Sequence, residues 1–328
     1  MMDTKKSTGA DKLTGVKKVF MNWALLLGLI GIVAIFSLIT QNFFSISNLM
    51  LVLQQSSIVG IAACAMTFVI ITGNFDLSMG ATITTAVLLS VDLHDKLGTL
   101  PAVLIAVAAC LIVGLINGYI VGYIKVNSMI ITLGTMMILK GAILLYTGGQ
   151  LSWVASPKTT WFQFFGRADV LGIPMQVLLL AMCVILFEFV LKRTTFGVKI
   201  QAAGGNASAL RYSGTDDRKI VLIAFVLSAL MSALAGLIMG SRTMKFQQEI
   251  AFGYEFDVIS AVILGGASLT GGSGSVVKTL IGVVILTVLQ NGFLMIGLSY
   301  YFQWLVQGIV ILFMVFIDVT AKRKEGLA

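Results

Sequence analysis

Long apolar runs separated by short polar stretches dominate the pattern of this chain. A helix that crosses the hydrocarbon core of a bilayer needs about 20 mostly apolar residues. Runs of this length predict transmembrane helices at 23–40, 49–72, 100–122, 128–147, 172–191, 219–240, 276–297 and 300–319. The pattern therefore predicts an all-α polytopic membrane protein.

Two further apolar segments, 77–91 and 256–270, are too short for ordinary spans. Both are rich in Gly, Ser or Thr, and each adjoins a break that contains glycine. We predict short, broken or re-entrant helices there, because irregular backbone survives at membrane depth only where protein or water covers it. With these two segments the predicted total becomes about ten helices.

The basic residues predict how the chain is oriented. Lysine and arginine concentrate in the two tails and in alternate loops, and such loops face the cytoplasm. An even number of helices places both basic tails on that side. The predicted organisation is a cytoplasmic tail at 1–22, a single transmembrane domain at 23–319 with an inner loop at about 192–218, and a cytoplasmic tail at 320–328.

Composition supports a membrane environment for this 328-residue chain. Hydrophobic residues make up 58% and charged residues 11%, whereas soluble domains carry about 25% charged residues. Mean hydropathy is +1.00. The net charge of +8 also suits nucleic acid, but the basic residues cluster beside apolar runs, so we expect the lipid bilayer and no nucleic acid as their partner.

Residues that catalyse reactions or bind metals are scarce. The single histidine, His94, is predicted to belong to a solvated loop cluster with Asp92 and Asp95. The three cysteines lie inside apolar runs and are predicted to be buried packing residues. One histidine supplies neither a zinc site nor a Ser-His-Asp triad, so we predict no metal site and no catalytic residue.

A near match to a phosphate-binding loop occurs at 272–279, which reads GSGSVVKT. A Walker A loop has Gly directly before its Lys, and here that position is Val277. The segment that follows is also a predicted membrane helix. We therefore expect no cofactor on this chain, with any ATP bound by another subunit.

Polar residues near the two short segments and on the helix at 276–297 are candidates for lining a solute path, because such residues inside membranes mark pathways, partners or interfaces. Asp76 and Asp257 suit helix capping equally well, and paired glycines suit tight packing as well as a gate. Glu188 and Lys278 are predicted to reach the inner surface. The candidate path residues are Asn74, Asp76, Ser78, Thr82, Ser260, Gly265, Gly266, Gln290 and Asn291.

The inner loop at about 192–218 is the most informative local feature. Small residues and Asn206 interrupt its apolar pattern, and Asn206 is a suitable N-cap for a short amphipathic helix at about 206–213. A compact exposed helix bounded by glycines suits docking into a groove on another protein. The alternative is an ordinary solvated loop.

Four blocks of sequence, at 72–80, 193–214, 261–272 and 291–318, resemble the permeases of ribose-type sugar ABC importers, a family that includes the autoinducer-2 permeases. The first reads TGNFDLSMG and the third AVILGGASLTGG. Together with the helix order, the blocks cover nearly the whole chain. The second block is similar to the cytoplasmic coupling loop of that family, with candidate coupling residues Arg193, Gly197, Ala203, Gly204, Asn206, Ala209 and Gly214.

The resemblance implies a larger vitamin-importer-like permease fold in a bacterial inner membrane. It also implies a second permease subunit, identical or paralogous, ATPase subunits that bind ATP and Mg²⁺, an extracytoplasmic solute-binding protein and a sugar-like solute. The sequence departs from the family at Asn74, Phe75 and Lys278, which weakens transfer of solute specificity. The alternatives are a stand-alone secondary transporter or channel for a small polar solute, and a membrane receptor that moves nothing.

Overall fold

A computed structural model of the chain describes residues 25–154, 160–299, 301–306, 308–309 and 312. This part is mostly helical, as predicted. The predicted tails at 1–22 and 320–328 lie outside the described residues, and so does most of the predicted helix at 300–319.

The helices are numbered in chain order. They are α1 (Leu25–Ile39), α2 (Ile46–Ile71), α3 (Met79–Asp92), α4 (His94–Leu97), α5 (Thr99–Tyr119), α6 (Ser128–Thr147), α7 (Trp161–Arg167), α8 (Met175–Arg193), α9 (Thr195–Gly205), α10 (Ala207–Tyr212), α11 (Asp217–Thr243), α12 (Tyr254–Leu264) and α13 (Val276–Met295). The strands are β1 (Ser152–Trp153), β2 (Asp169–Val170), β3 (Ile173–Pro174) and β4 (Lys245–Phe246). Residues 301–306 are again helical.

Six of the described helices are long and apolar enough to cross a membrane. They are α2, α5 with the π-helical turn Ile120–Ile124 that extends it, α6, α8, α11 and α13. Each lies on a predicted span, so these predictions of long apolar helices are confirmed. Helices α1 and α3 are shorter and apolar, and α12 has 11 residues. The total of about ten spans stays a prediction.

Helix α11 lies at the centre and packs against α2, α3, α5 and α7. Its contact with α5 is close because Gly114, Gly118 and Gly122 form a stripe along α5 and the π-helical turn that extends it. A Cβ atom at Gly118 would lie 2.9 Å from the Leu222 carbonyl oxygen of α11. One at Gly122 would lie 2.7 Å from the carbonyl oxygen of Arg218. Small residues at this spacing let membrane helices approach to backbone contact, so α5 and α11 form a tightly packed pair.

The first break in the helical structure lies between α2 and α3, beside the predicted short segment at 77–91. Side chains of α6 accept hydrogen bonds from two of its backbone N–H groups. The Phe75 N–H donates to Ser128 Oγ, and the Leu77 N–H donates to Thr132 Oγ1, each at 3.1 Å. These two hydroxyls, one turn apart on α6, replace helical hydrogen bonds that the break lacks.

The second break follows α12. The helix ends at Leu264 and does not continue to residue 270, so the prediction of a helix over 256–270 is correct only for its first part. Gly266, Gly271 and Gly272 all have positive φ angles, a conformation that favours glycine. The break ends at Ser275, the N-cap of α13.

Short strand pairs connect some of the helices. Strand β1 pairs antiparallel with β4, Ser152 opposite Phe246, and β2 pairs with β3 in the connection before α8. The same connection contains the short helix α7, which the sequence did not predict. The prediction of an all-α chain therefore holds for the long helices, whereas the connections also contain these short strands.

Two ionisable residues make contacts that the sequence did not predict. His94 is 7% exposed and its ring lies 5.7 Å from that of Phe162, so the predicted solvated position is wrong. The Glu188 carboxylate accepts the Val276 N–H at 2.7 Å and the Ser275 hydroxyl at 3.1 Å. A carboxylate at this position stabilises the N-terminus of α13. The described residues contain no group of three or more potential metal ligands.

Candidate functional site

The segment that the sequence predicted as the inner loop is a pair of helices, α9 and α10. The short helix α10 (Ala207–Tyr212) is confirmed, and so is its N-cap, because Asn206 Oδ1 accepts the Ala209 N–H at 2.9 Å. The preceding stretch is α9 rather than loop, and Thr194 caps it. This helical pair follows α8 directly and leads into α11.

The end of α9 contacts both helix breaks at one backbone oxygen, the carbonyl of Ile71 at the end of α2. The Gly272 N–H donates to this oxygen at 2.8 Å. Gly204 lies against the same oxygen, and a Cβ atom built there would overlap it. A Cβ at Gly271 would lie 3.1 Å from the Gly204 Cα. We call Ile71, Gly204, Gly271 and Gly272 the glycine junction; glycine is required there because three backbone segments touch.

A carboxylate joins α10 to two other elements. Asp217, at the start of α11, pairs with Arg211 of α10 at 2.6 Å and with Lys125, in the α5–α6 connection, at 2.7 Å. A second bond from Arg211 Nη2 to Asp217 Oδ2 measures 3.0 Å, so the contact is bidentate. The carboxylate raises the pKa of the Arg211 guanidinium above its ordinary value. We call these three residues the Asp217 cluster.

Some of the residues predicted to couple this segment to a partner pack inside the protein, and the others are exposed at its surface. Gly197 packs against the end of α8, Ala203 against the main core, and Gly204 in the glycine junction. Val198 and Tyr212 of the same helices, which the sequence did not single out, carry largely apolar side chains that are 69% and 93% exposed. The other predicted coupling residues are exposed, and they are Arg193, Asn206, Ala209 and Gly214.

A buried hydrogen-bond network surrounds Asp76, which is 4% exposed. Asp76 Oδ1 accepts the Ser78 N–H at 3.1 Å and the Ser78 hydroxyl at 2.5 Å. Asp76 Oδ2 accepts the Ser228 hydroxyl of α11 at 2.7 Å. Asn117 of α5 donates to Ser78 Oγ at 3.0 Å, and Thr135 of α6 donates to Asn117 at 2.6 Å. This Asp76 network fixes the first break against α5, α6 and α11.

The capping prediction for Asp76 is therefore partly right. Ser78 is the N-cap residue of α3 and makes no capping bond with its own side chain. The Asp76 carboxylate instead accepts the backbone N–H of Ser78, the cap residue itself. Whether Asp76 and Ser78 also line a path stays a prediction.

The other candidate path residues lie in several places. Thr82 and Ser260 are buried. The Thr82 hydroxyl donates to the carbonyl of Ser78, the residue before α3, and the Ser260 hydroxyl donates to the carbonyl of Phe256 in α12. Asn74 lines a cavity of about 270 Å³ beside the Asp217 cluster. Gly265 packs against the first turn of α13, and Gly266 has a φ of 82° with open space where a side chain would be. Their assignment to a path stays a prediction.

The last two candidates, Gln290 and Asn291, meet at an open cavity of about 460 Å³. It lies between α2, α12, α13, the residues before α12 and the helical residues 301–306. Cavities of about 300–1,000 Å³ are typical of small-molecule sites. We call it the amide cavity, because its wall includes the amide side chains of Gln55, Gln247, Gln290, Asn291 and Gln303.

Carboxylates and aromatic rings complete the wall of the amide cavity. Asp257 and Glu249 line it, and Gln290 Nε2 donates to Asp257 Oδ1 at 2.8 Å. The rings of Phe252 and Trp304 lie 5.3 Å apart at 45°. None of the described lining residues is Lys or Arg. This combination of amides, carboxylates and rings suits a small neutral solute with several hydroxyl groups.

Comparison with known proteins identifies the family. A profile described as the permease component of a branched-chain amino acid transport system matches residues 48–315. The chain belongs to this permease family. The predicted resemblance to ribose-type sugar permeases is likewise confirmed by the relatives of this permease.

The ribose import permease protein RbsC of Escherichia coli (strain K12) is 38% identical over 97% of this permease and 99% of its own length. RbsC of Bacillus subtilis (strain 168) is 38% identical over 89% and 91%. The L-arabinose transport system permease protein AraH of Escherichia coli (strain K12) is 32% identical over 86% and 85%. No solved structure matches the chain. Family membership and the apolar helices together make this a multi-pass membrane protein.

Proposed function

We propose that this permease is the membrane-spanning subunit of an ABC importer and forms the path for a monosaccharide or sugar-like solute. The names of relatives that import ribose and L-arabinose support this solute class. The observation that carries the proposal is the glycine junction, because it joins the α9–α10 pair to both helix breaks through backbone contacts. Because backbone atoms cannot rotate away as side chains can, a displacement of α9 is passed directly to the segments it contacts.

In the proposed mechanism, ATPase subunits on separate chains bind ATP and Mg²⁺ and dock on the exposed face of α9–α10. Val198 and Tyr212 supply apolar contact area there. When the ATPase pair closes, the glycine junction carries the displacement to α2 and the second break. The Asp217 cluster carries it to α11 and to the α5–α6 connection. Alternating closure of the two ends of the path then moves the solute.

The remaining partners follow from the same proposal. An extracytoplasmic binding protein selects and delivers the solute, and a second permease subunit, identical or paralogous, completes the path. The location proposed is a bacterial inner membrane with both termini in the cytoplasm, and the basic residues of the inner loop and tails support this orientation. The domain extends over 23–319, and the chain itself is not an enzyme and binds no cofactor.

Copurification after mild detergent extraction tests this function. We expect an ATPase subunit to copurify with the chain, and its ATP hydrolysis to rise when a binding protein loaded with D-ribose or L-arabinose is added. A lone chain that supports solute flux in liposomes without an ATPase would instead establish a stand-alone secondary transporter or channel. A chain that moves no solute under either condition would favour the receptor alternative.

The Asp217 cluster gives a matched pair of variants. Asp217→Asn weakens the bonds to Arg211 and Lys125, so we expect solute imported per ATP hydrolysed to fall at least about fivefold, the lower end of typical coupling between sites. Asp216→Asn removes the same charge one residue away and keeps an N-cap for α11. Equal uptake-to-ATP ratios in the two variants would show that the cluster carries no coupling.

A further inference from the structure

We propose that the amide cavity binds the transported sugar directly and that the paired side chains of Asp257 and Gln290 set its preference. The preferred ligand is a neutral sugar with intact hydroxyl groups, over a deoxygenated or an anionic analogue. This inference rests on the proposed function, and it adds a selective site within the permease to the selection made by the binding protein.

The position of the cavity connects it to the helix breaks. Gln55 lies on α2, which ends at the Ile71 carbonyl of the glycine junction, and Asp257 lies on α12, which leads directly into the second break. A ligand held between α2 and α12 therefore contacts α2, which ends at the junction, and α12, which is followed by the break that contains Gly271 and Gly272. Occupancy of the cavity and the arrangement of the junction are linked through these helices.

The hydrogen-bonding groups of the cavity match a sugar diol. An amide offers a donor and an acceptor in one plane, and a carboxylate offers acceptors only. Because Gln290 donates to Asp257 at 2.8 Å, the two groups are oriented side by side and present adjacent donor and acceptor positions. A site built to bond a hydroxyl discriminates strongly against a ligand that lacks it, since its polar groups are then left without partners.

The charge of the wall adds a second level of selection. The described lining residues include Asp257 and Glu249 and no Lys or Arg. Lys140 contacts the ring of Phe252 at 4.8 Å, but it is not among the lining residues. The two carboxylates repel a phosphate or carboxylate group on a ligand, so a neutral sugar is favoured over its phosphate ester.

The aromatic part of the wall supplies the apolar contact that a sugar ring also needs. Trp304 and Phe252 lie with their ring centroids 5.3 Å apart. Sugar C–H faces pack against such rings while the hydroxyls bond to amides. Trp304 is also a natural reporter, because the chain has only four tryptophans.

The first test measures discrimination by the assembled importer. The binding protein is saturated with D-ribose or with 2-deoxy-D-ribose (or with L-arabinose and its 2-deoxy form, if only arabinose is imported), and uptake rates are compared. We expect Gln290→Leu to reduce the ratio of parent to deoxy uptake about tenfold or more, as loss of a hydroxyl-binding group predicts. Gln163→Leu, on α7 away from the cavity, is expected to keep the wild-type ratio.

Because the binding protein is the same in every reaction, a changed ratio reports the permease. If Gln290→Leu does not fold, the same ratio is measured for Gln55→Leu, whose side chain lines the cavity from α2. Unchanged ratios in the folded variants, or no discrimination by the wild type, would overturn the inference and leave the proposed function standing. Failure of the wild type to import any of these sugars with ATP hydrolysis would instead reject the proposed function.

The second test measures binding directly in the full-length permease in lipid nanodiscs. Trp23, Trp153 and Trp161 are replaced by Phe, so that Trp304 is the single tryptophan and its emission is excited selectively over that of tyrosine. Millimolar D-ribose or L-arabinose is expected to change its emission saturably, and Gln290→Leu is expected to weaken that response about tenfold or more. No response to either sugar, or an equal response to D-ribose 5-phosphate, would contradict the assignment.

Discussion

Gly204→Val is expected to reduce solute uptake about 100-fold, the upper end of typical coupling between sites, while the ATPase subunits still hydrolyse ATP. Gly204 lies against the Ile71 carbonyl oxygen, and a Cβ atom there would also be 2.7 Å from the Gly272 nitrogen. Both neighbours are backbone atoms, so neither can turn aside as a side chain would. The end of α9 must therefore move away from α2 and the second break. Uptake and ATP hydrolysis are measured together in proteoliposomes.

Gly205→Ala is the matched control for this variant. It lies next to Gly204 on the same helix, but its Cβ would find the nearest atom, Gly272 Cα, at 3.7 Å, an ordinary van der Waals distance. We expect near wild-type uptake from Gly205→Ala. Wild-type uptake from Gly204→Val, in protein that reaches the membrane in normal amounts, would exclude the glycine junction from the transport mechanism.

Asp76→Leu is expected to give the largest loss of stability, about 3–5 kcal/mol, because each buried donor left without an acceptor costs about 1–3 kcal/mol. The lost acceptor serves the Ser78 N–H, the Ser78 hydroxyl and the Ser228 hydroxyl. Asp76→Asn keeps an oxygen towards Ser78 and is expected to lose much less. Unfolding midpoints of the purified variants measure the difference.

The same pair of variants separates two roles for Asp76. If the carboxylate only holds the first break in place, Asp76→Asn keeps both its stability and its uptake. If the negative charge also acts on the solute path, Asp76→Asn remains folded but loses uptake. An Asp76→Leu variant as stable as the wild type would contradict the network itself.

Local signals explain what the sequence predicted correctly. The apolar runs identified the long helices because nearly every residue of such a helix carries the signal. Asn206 identified the start of α10 because capping depends on contacts only three residues away. The sequence did not predict α9, because Gly204 and Gly205 in its last turn lower helix propensity. Packing of Gly204 against the end of α2 compensates for this.

Long-range contacts explain what the sequence did not predict. Thr85 and Thr132 look alike in the sequence, since both lie in apolar helices, and both donate to a carbonyl of their own helix. Thr132 in addition accepts the Leu77 N–H from the first break. Asp217 gave no local sign of its partner Lys125, which lies 92 residues away. Gln290 was predicted as a path residue from its polarity alone. Its bond to Asp257 appears only when α12 packs against α13.

The bonds from the first break to Ser128 and Thr132 determine which parts of the molecule move together. Because the unwound residues are fastened to α6, any displacement that reaches them through Ile71 must take α6 with it or break both bonds. Helix α6 is mostly exposed. In the proposed mechanism, the first break therefore acts as a rigid connection rather than a flexible hinge, and it would pass a displacement of α9–α10 on to α6, whose largely exposed surface is available to lipid or to a second subunit.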